Sequence, residues 1–106
     1  MITVVVQFSL SKAINTETAH ELFLSGVDTY INLPGLVRKY YLNDPENGIA
    51  GGCYLFESRV AADNLFTGDW YQMVESKYGA PPSVMFFDSP VIVDNSKNSE
   101  HIGLNR

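Results

Sequence analysis

The sequence predicts an α+β fold of the ferredoxin-like kind, β-α-β-β-α-β: a four-stranded antiparallel sheet with both helices on one face. Three observations carry that prediction. Apolar residues alternate with a period of two in four short runs, and two intervening stretches switch to a period near 3.6. The strands also carry large apolar groups on both faces, where a half-solvated sheet would read apolar on one side and polar on the other. Length and composition agree, because 106 residues with 45% hydrophobic and 18% charged side chains make one domain able to bury a core.

Ile2, Val4, Val6 and Phe8 alternate with Thr3, Val5, Gln7 and Ser9, which reads as the first strand. Ser11 to Thr16 is a polar connection. Between Asn15 and Leu33 a single helix is expected, with Ala19, Leu22, Phe23, Gly26, Val27 and Tyr30 along one side. Asn15 or Thr16 caps its start, Glu17 and Glu21 suit the positive end of its dipole, and Pro34-Gly35 stops it. Leu36 to Asn43 is the second strand, with Val37, Lys39 and Tyr41 on one face and Leu36, Arg38, Tyr40 and Leu42 on the other. Turn chemistry at Asp44-Pro45-Glu46-Asn47-Gly48 returns the chain into an antiparallel partner, Ile49 to Glu57. Gly51-Gly52 within that strand marks a bulge, or a close approach of another group to the backbone.

Ser58 opens the second helix, whose buried stripe is Ala61, Ala62, Leu65 and Phe66. Gly68 breaks it, and Asp69 with Gln72 reads as a capping box for a further segment, Trp70 to Tyr78. Gly79 suits the C′ position, and Ala80-Pro81-Pro82 prevents continuation. Ser83 to Asp88 is the last strand, separated by Pro90 from a short extension, Val91-Ile92-Val93. The domain is expected over residues 1–94, with 95–106 a loose tail.

Tyr41 opposes Tyr40, Tyr54 and Phe56 oppose Cys53 and Leu55, and Phe86 opposes Phe87 across the sheet. The face away from the helices therefore needs a cover, and a second copy of the sheet is the simplest one. Two such sheets face to face close a barrel with the helices outside, so the expected partner is a second chain in a homodimer. A net charge of −5 argues against nucleic acid or anionic lipid as a partner. The single cysteine, Cys53, excludes an intramolecular disulfide and a multi-thiolate metal site. No apolar run is long enough to span a membrane, and the first residues lack a basic, leader-like pattern, so a cytoplasmic domain is expected.

Pro34-Gly35-Leu36, the run Ala50-Gly51-Gly52-Cys53-Tyr54-Leu55-Phe56, and Phe86-Phe87-Asp88 together resemble the YdhR-type family. That family consists of small monooxygenase-like proteins in the dimeric α+β barrel superfamily. The likeness runs from Thr3 to Val93 in element order but is close only in these short runs. It implies a dimer, a small pocket in each subunit between sheet and helices, and oxidation of a cyclic or aromatic compound. The activity is an analogy of family rather than a reading of residues.

The residues themselves carry no dinucleotide, P-loop or HExxH motif. His20 and His101 are the only imidazoles, a thin set for a metal, so no cofactor, flavin or metal is expected. An oxygenase of this kind would let the substrate supply the electrons: a deprotonated enol or phenol reduces dioxygen, and the protein needs an apolar pocket, a base and oxyanion donors. The candidate catalytic residues are His20 as base and Tyr54 and Trp70 as donors; each has a plainer role as a core or border residue. Tyr40, Asn64, Tyr71 and Phe23 are candidates for substrate contact. Tyr40 and Tyr54 share a side only if the register allows it, since a slip of one residue reverses the direction of every side chain. Cys53 reads as a small apolar residue rather than a nucleophile, and the Arg38-Lys39 pair, pointing to opposite faces, as a weak anion site. Two other classes stay open: a non-catalytic module binding a small apolar or aromatic molecule, and a lactone isomerase-like proton-transfer enzyme. Haem breakdown fits less well, because no histidine neighbours Trp70 in sequence.

Overall fold

The computed structural model describes residues 1–10 and 15–96. The element order is β1 (Ile2–Ser9), α1 (Thr16–Leu24), α2 (Val27–Tyr30), β2 (Leu36–Asp44), β3 (Ile49–Phe56), α3 (Arg59–Leu65), α4 (Gly68–Tyr78) and β4 (Ser83–Asp88). The strands form one antiparallel sheet in the order β2-β3-β1-β4, which is the ferredoxin-like arrangement. Val4, Val6 and Phe8 of β1, and Ala50, Tyr54 and Phe56 of β3, point under the helices and meet Ala62, Trp70 and Val74 in the core.

Local chemistry sets the helix ends. Asn15 Oδ1 accepts from the Thr18 N–H at 2.8 Å, and Ser58 Oγ accepts from the Ala61 N–H at 3.1 Å, so both N-termini gain a partner for an orphan donor. Gly79 closes α4 with φ 81°, a left-handed position that suits glycine.

Several sequence expectations change. The single helix from Asn15 to Leu33 is two helices, α1 and α2, parted at Ser25-Gly26. Ser25 Oγ–H donates back to the Leu22 carbonyl, and a side chain at Gly26 would meet Lys77 Nζ at 3.1 Å. The helical run ends at Tyr30, ahead of Pro34-Gly35, with Asn32 in a left-handed turn at φ 65°. The bulge lies in β2, between Leu36 and Arg38, and the pairing through Gly51-Gly52 is unbroken. At Gly51 the other expectation holds, because the Val6 carbonyl occupies the place a Cβ would take. Asp69 sits in the first turn of α4 rather than capping it; the cap position is Thr67, without a side-chain hydrogen bond.

Past β4 the chain forms no further strand with Val91-Ile92-Val93. Ser89 N–H donates to the Met1 carbonyl at 2.9 Å, and Asp94 pairs with Arg38 at 3.0 Å, so residues 89–94 run across one end of the sheet from β4 to β2. The carboxyl of Asp94 is held down to about 2, first by hydrogen bonds from Ser96 and then by Arg38. Most of the expected tail (residues 97–106, with His101) and residues 11–14 of the expected connection lie outside the described residues.

The sheet face away from the helices carries Val5, Tyr40, Leu42, Cys53, Leu55, Met85 and Phe87, in the register set by the strand pairs. Tyr40 is 55% exposed, Met85 53% and Phe87 45%. Large apolar side chains thus emerge from both faces, and the described residues cover only one of them.

Candidate functional site: an aromatic chamber around Lys39

The bulge at Val37 decides what faces the helices on β2. It lets Leu36 join Lys39 and Tyr41 on the helix side, while Arg38 and Tyr40 turn to the open face. Lys39 stands opposite Tyr54 on β3, and the alternation along β3 puts Tyr54 under the helices. Tyr30 reaches in from α2, Phe23 from α1, and Phe66 and Trp70 from the α3–α4 region.

These rings form a continuous wall. Phe23 stacks on Tyr41 with centroids 4.8 Å apart, and Tyr30 meets Tyr41 edge-on at 6.3 Å and Tyr54 at 5.9 Å. Tyr54 meets Phe66 at 5.1 Å, and Phe66 meets Trp70 at 4.7 Å, both edge-on. Trp70 Nε1–H donates to Tyr30 Oη at 3.1 Å, tying α4 to α2. The Lys39 ammonium position lies inside this wall, 3.4 Å from the Tyr30 ring centroid, 3.9 Å from Tyr41 and 4.6 Å from Tyr54. A cavity of about 270 Å³ opens beside it at the β2–α2 edge, lined among others by Val27, Tyr30, Leu36, Arg38, Lys39 and Tyr41.

Burial governs the electrostatics. It pushes the Lys39 amine down to about 6, with the nearby positive charge of Lys77 as a smaller contribution. It raises the phenols of Tyr41 and Tyr54 well above the ordinary range and that of Tyr78 to about 12, each with a further contribution from Tyr30. Among the described residues the ion pairs are Arg38–Asp94 and Arg59–Asp63, so no carboxylate pairs with Lys39. Lys77 Nζ donates to Ser25 Oγ at 3.1 Å, and the buried Tyr41 Oη, also beside Gly26, has no hydrogen-bond partner among the described residues. No cluster of three or more His, Cys, Asp or Glu that could hold a metal occurs among the described residues.

The structure brings together three of the residues singled out from sequence: Tyr54, Trp70 and Phe23. Tyr71 is half-buried and edge-on to Trp70 at 5.2 Å, on the margin of the wall. His20 is exposed on α1, and Asn64 is exposed on α3. Tyr40 and Tyr54 point to opposite sides: Tyr40 is paired with Cys53 on the open face, where its hydroxyl accepts from Arg38 Nη1 at 3.3 Å. Cys53 is half-buried there, and burial pushes its thiol up, away from nucleophilic character. Sequence reasoning missed Lys39, Tyr30 and Tyr41. A lysine followed by two tyrosines, on the strand face shared with Tyr41, was the available signal.

No family model matches the chain, and no curated protein matches it. Solved structures do. The cofactor-independent oxygenase SnoaB of Streptomyces nogalater superimposes with a TM-score of 0.62 at 14% identity, over 87% of this chain and 95% of that one. The monooxygenase ActVA-Orf6 of Streptomyces coelicolor, in complex with nanaomycin D, gives 0.65 at 18% identity, over 90% and 92%. An antibiotic biosynthesis monooxygenase gives 0.60 at 16% identity, over 84% and 98%. At these identities the likeness establishes a shared ferredoxin-like α+β fold across nearly the whole of each chain.

Proposed function

We propose that this protein is a monooxygenase-like enzyme that acts, without flavin or metal, on a small cyclic or aromatic compound held between sheet and helices. The observation that carries the reading is the β2–α2 cavity, which Tyr30 and Tyr41 line as one end of the aromatic wall. Flat aromatic ligands gain from stacked and edge-on contacts with such walls. The fold shared with an oxygenase described as cofactor-independent, and with a monooxygenase solved with nanaomycin D, supports the same reading by analogy. The chemistry needed is modest: an ionised enol or phenol is electron-rich enough to reduce dioxygen itself, and Tyr30, which lines the cavity and accepts from Trp70 Nε1–H, has its own hydroxyl proton to offer a ligand oxygen.

The working unit in this proposal is a homodimer whose two open sheet faces pack together, in the manner of the YdhR-type family. A cytoplasmic setting suits the lone unpaired thiol of Cys53. The experiment is oxygen uptake with a quinol or anthrone in chelator-treated buffer. Uptake that scales with protein and survives chelation is the expected result. A second reading, a non-catalytic carrier of the same ligand, draws on the exposed positions of His20 and Asn64, which keep both of these candidate side chains out of the wall. Ligand binding without oxygen uptake would establish that reading instead.

A further inference from the structure

With His20 on the surface, the chamber needs another base, and the geometry points to one. We propose that Lys39 is the proton acceptor of the site: its amine takes the hydroxyl proton of a phenol or enol docked in the β2–α2 cavity, leaving an ammonium–phenolate pair. This rests on the reading above that the cavity takes an aromatic hydroxy compound.

Three features of the surroundings support it. Among the described residues, the titratable groups facing Lys39 are Tyr41 on its own strand, Tyr54 from β3, Tyr30 from α2 and Lys77 from α4. None of them is a carboxylate that would hold the amine protonated, and a desolvated amine near a second cation sheds its proton close to neutral pH, as its value of about 6 reflects. Second, the wall phenols cannot compete as proton donors, since burial makes Tyr41 and Tyr54 hold their protons more tightly than a phenol in water. The proton therefore comes from the ligand. Third, the ammonium has a place once formed: three ring faces lie 3.4–4.6 Å from Nζ, and the new phenolate is the counter-charge that no carboxylate among the described residues supplies, a pairing that offsets the gap between an amine near 6 and an ordinary phenol near about 10. In the transfer the ligand O–H bond breaks and an N–H bond forms at Nζ, and no atom leaves the complex. The resulting phenolate or enolate is the electron-rich species an oxygen reaction would consume.

The test titrates the wild-type protein with 2-naphthol near neutral pH, where the free compound is un-ionised. Absorption reports whether the bound form is naphthol or naphtholate, and calorimetry in two buffers of different ionisation enthalpy counts the protons exchanged with solvent. The expected result is bound naphtholate with no net proton release, because the proton stays on Lys39. One proton released per naphtholate would mean that Lys39 was already charged. That outcome, an unshifted naphthol spectrum, or no binding would each overturn the proposal. Lys39→Met should bind naphthol in its neutral form and lower oxygen uptake by about 100-fold or more; the wild-type proton count stands without the variant. Naphtholate formation in a protein that consumes no oxygen with any quinol or anthrone would sustain Lys39 as proton acceptor and remove the oxygenase reading. Oxygen uptake unchanged in Lys39→Met would do the reverse.

Discussion

A lysine amine ringed by tyrosines and lacking a carboxylate strains the fold that holds it, and the direction with pH follows from linkage. Lys39 binds its proton at about 6 in the folded chain and at an ordinary 10.5 when unfolded. Between those values the unfolded chain holds more protons, so stability contributed by this site rises with pH. The penalty is fully present below about pH 6 and gone only above the unfolded value. Lys39→Met, which keeps the apolar stem without the charge, should therefore stabilise the protein at neutral pH by about 1–3 kcal/mol. Urea melts from about pH 6 to about pH 9, below the range where the tyrosines titrate, should show the gap between variant and wild type narrowing as pH rises. A constant gap would assign the gain to packing alone. Trp70→Phe tests the other side of the chamber. It removes the donor to Tyr30 Oη and should cost about 1 kcal/mol, while lowering oxygen uptake by a larger factor than that change alone accounts for. Equal losses of stability and turnover would make Trp70 a packing residue only.

At the scale of elements, one inserted residue controls the site. Strict alternation from Leu36 puts Arg38 and Tyr40 beside it, but the bulge at Val37 brings Leu36 over to the face of Lys39 and Tyr41. The strands, the turn after Asp44 and the caps at Asn15 and Ser58 were legible because each rests on local chemistry: alternation, turn residues, a side-chain oxygen near an orphan N–H. The division of the first helix was not: at the break Ser25 Oγ–H turns back to the Leu22 carbonyl, and Lys77 of α4 lies beside Gly26, a neighbour distant in sequence that no local pattern encodes. Tyr54 and Trp70 were legible as aromatic residues near a break or a glycine pair. Tyr30 read as helix stripe and Lys39 as half of a weak anion site, because their role comes from meeting across three elements. The glycine pair on β3 offers a sharp contrast with Gly68. A Cβ at Gly51 would strike the Val6 carbonyl, whereas one at Gly68 meets nothing within 4 Å. Gly51→Ala should cost at least about 2 kcal/mol, lowering Tm by about 8–16 °C. Gly68→Ala should leave stability unchanged or raise it by about 0.5 kcal/mol. Thermal melts of the two variants side by side check both; a mild Gly51→Ala would mean that β1 and β3 separate there with ease.

For the whole molecule, the sheet's second face sets the remaining question of what the protein is in solution. Its apolar residues lie on all four strands, from Tyr40 at one edge to Met85 and Phe87 at the other, with Val5, Cys53 and Leu55 between them. Continuing past β4, Val91 and Val93 are 80% and 82% exposed on a segment anchored at both ends, by Ser89 to Met1 and by Asp94 to Arg38. A stable interface takes about 800 Å² per partner, and a monomer seldom leaves an apolar patch that spans four strands bare. Two sheets meeting here would bury it while leaving each chamber on its own outer side, under its own helices. The dimer and the chamber are therefore separable. Leu55→Lys, at the centre of the open face, should convert a protein that elutes at the size of two chains into one that elutes at the size of one, because a lysine pair buried at a sheet-to-sheet contact has no counter-charge. Near-ultraviolet circular dichroism from Trp70 and its surrounding rings should persist in that variant, since Leu55 and Trp70 lie on opposite sides of the sheet. Light scattering that finds the wild type already monomeric would leave the open face without the partner assigned to it, and a Leu55→Lys protein that stays dimeric would move the contact elsewhere.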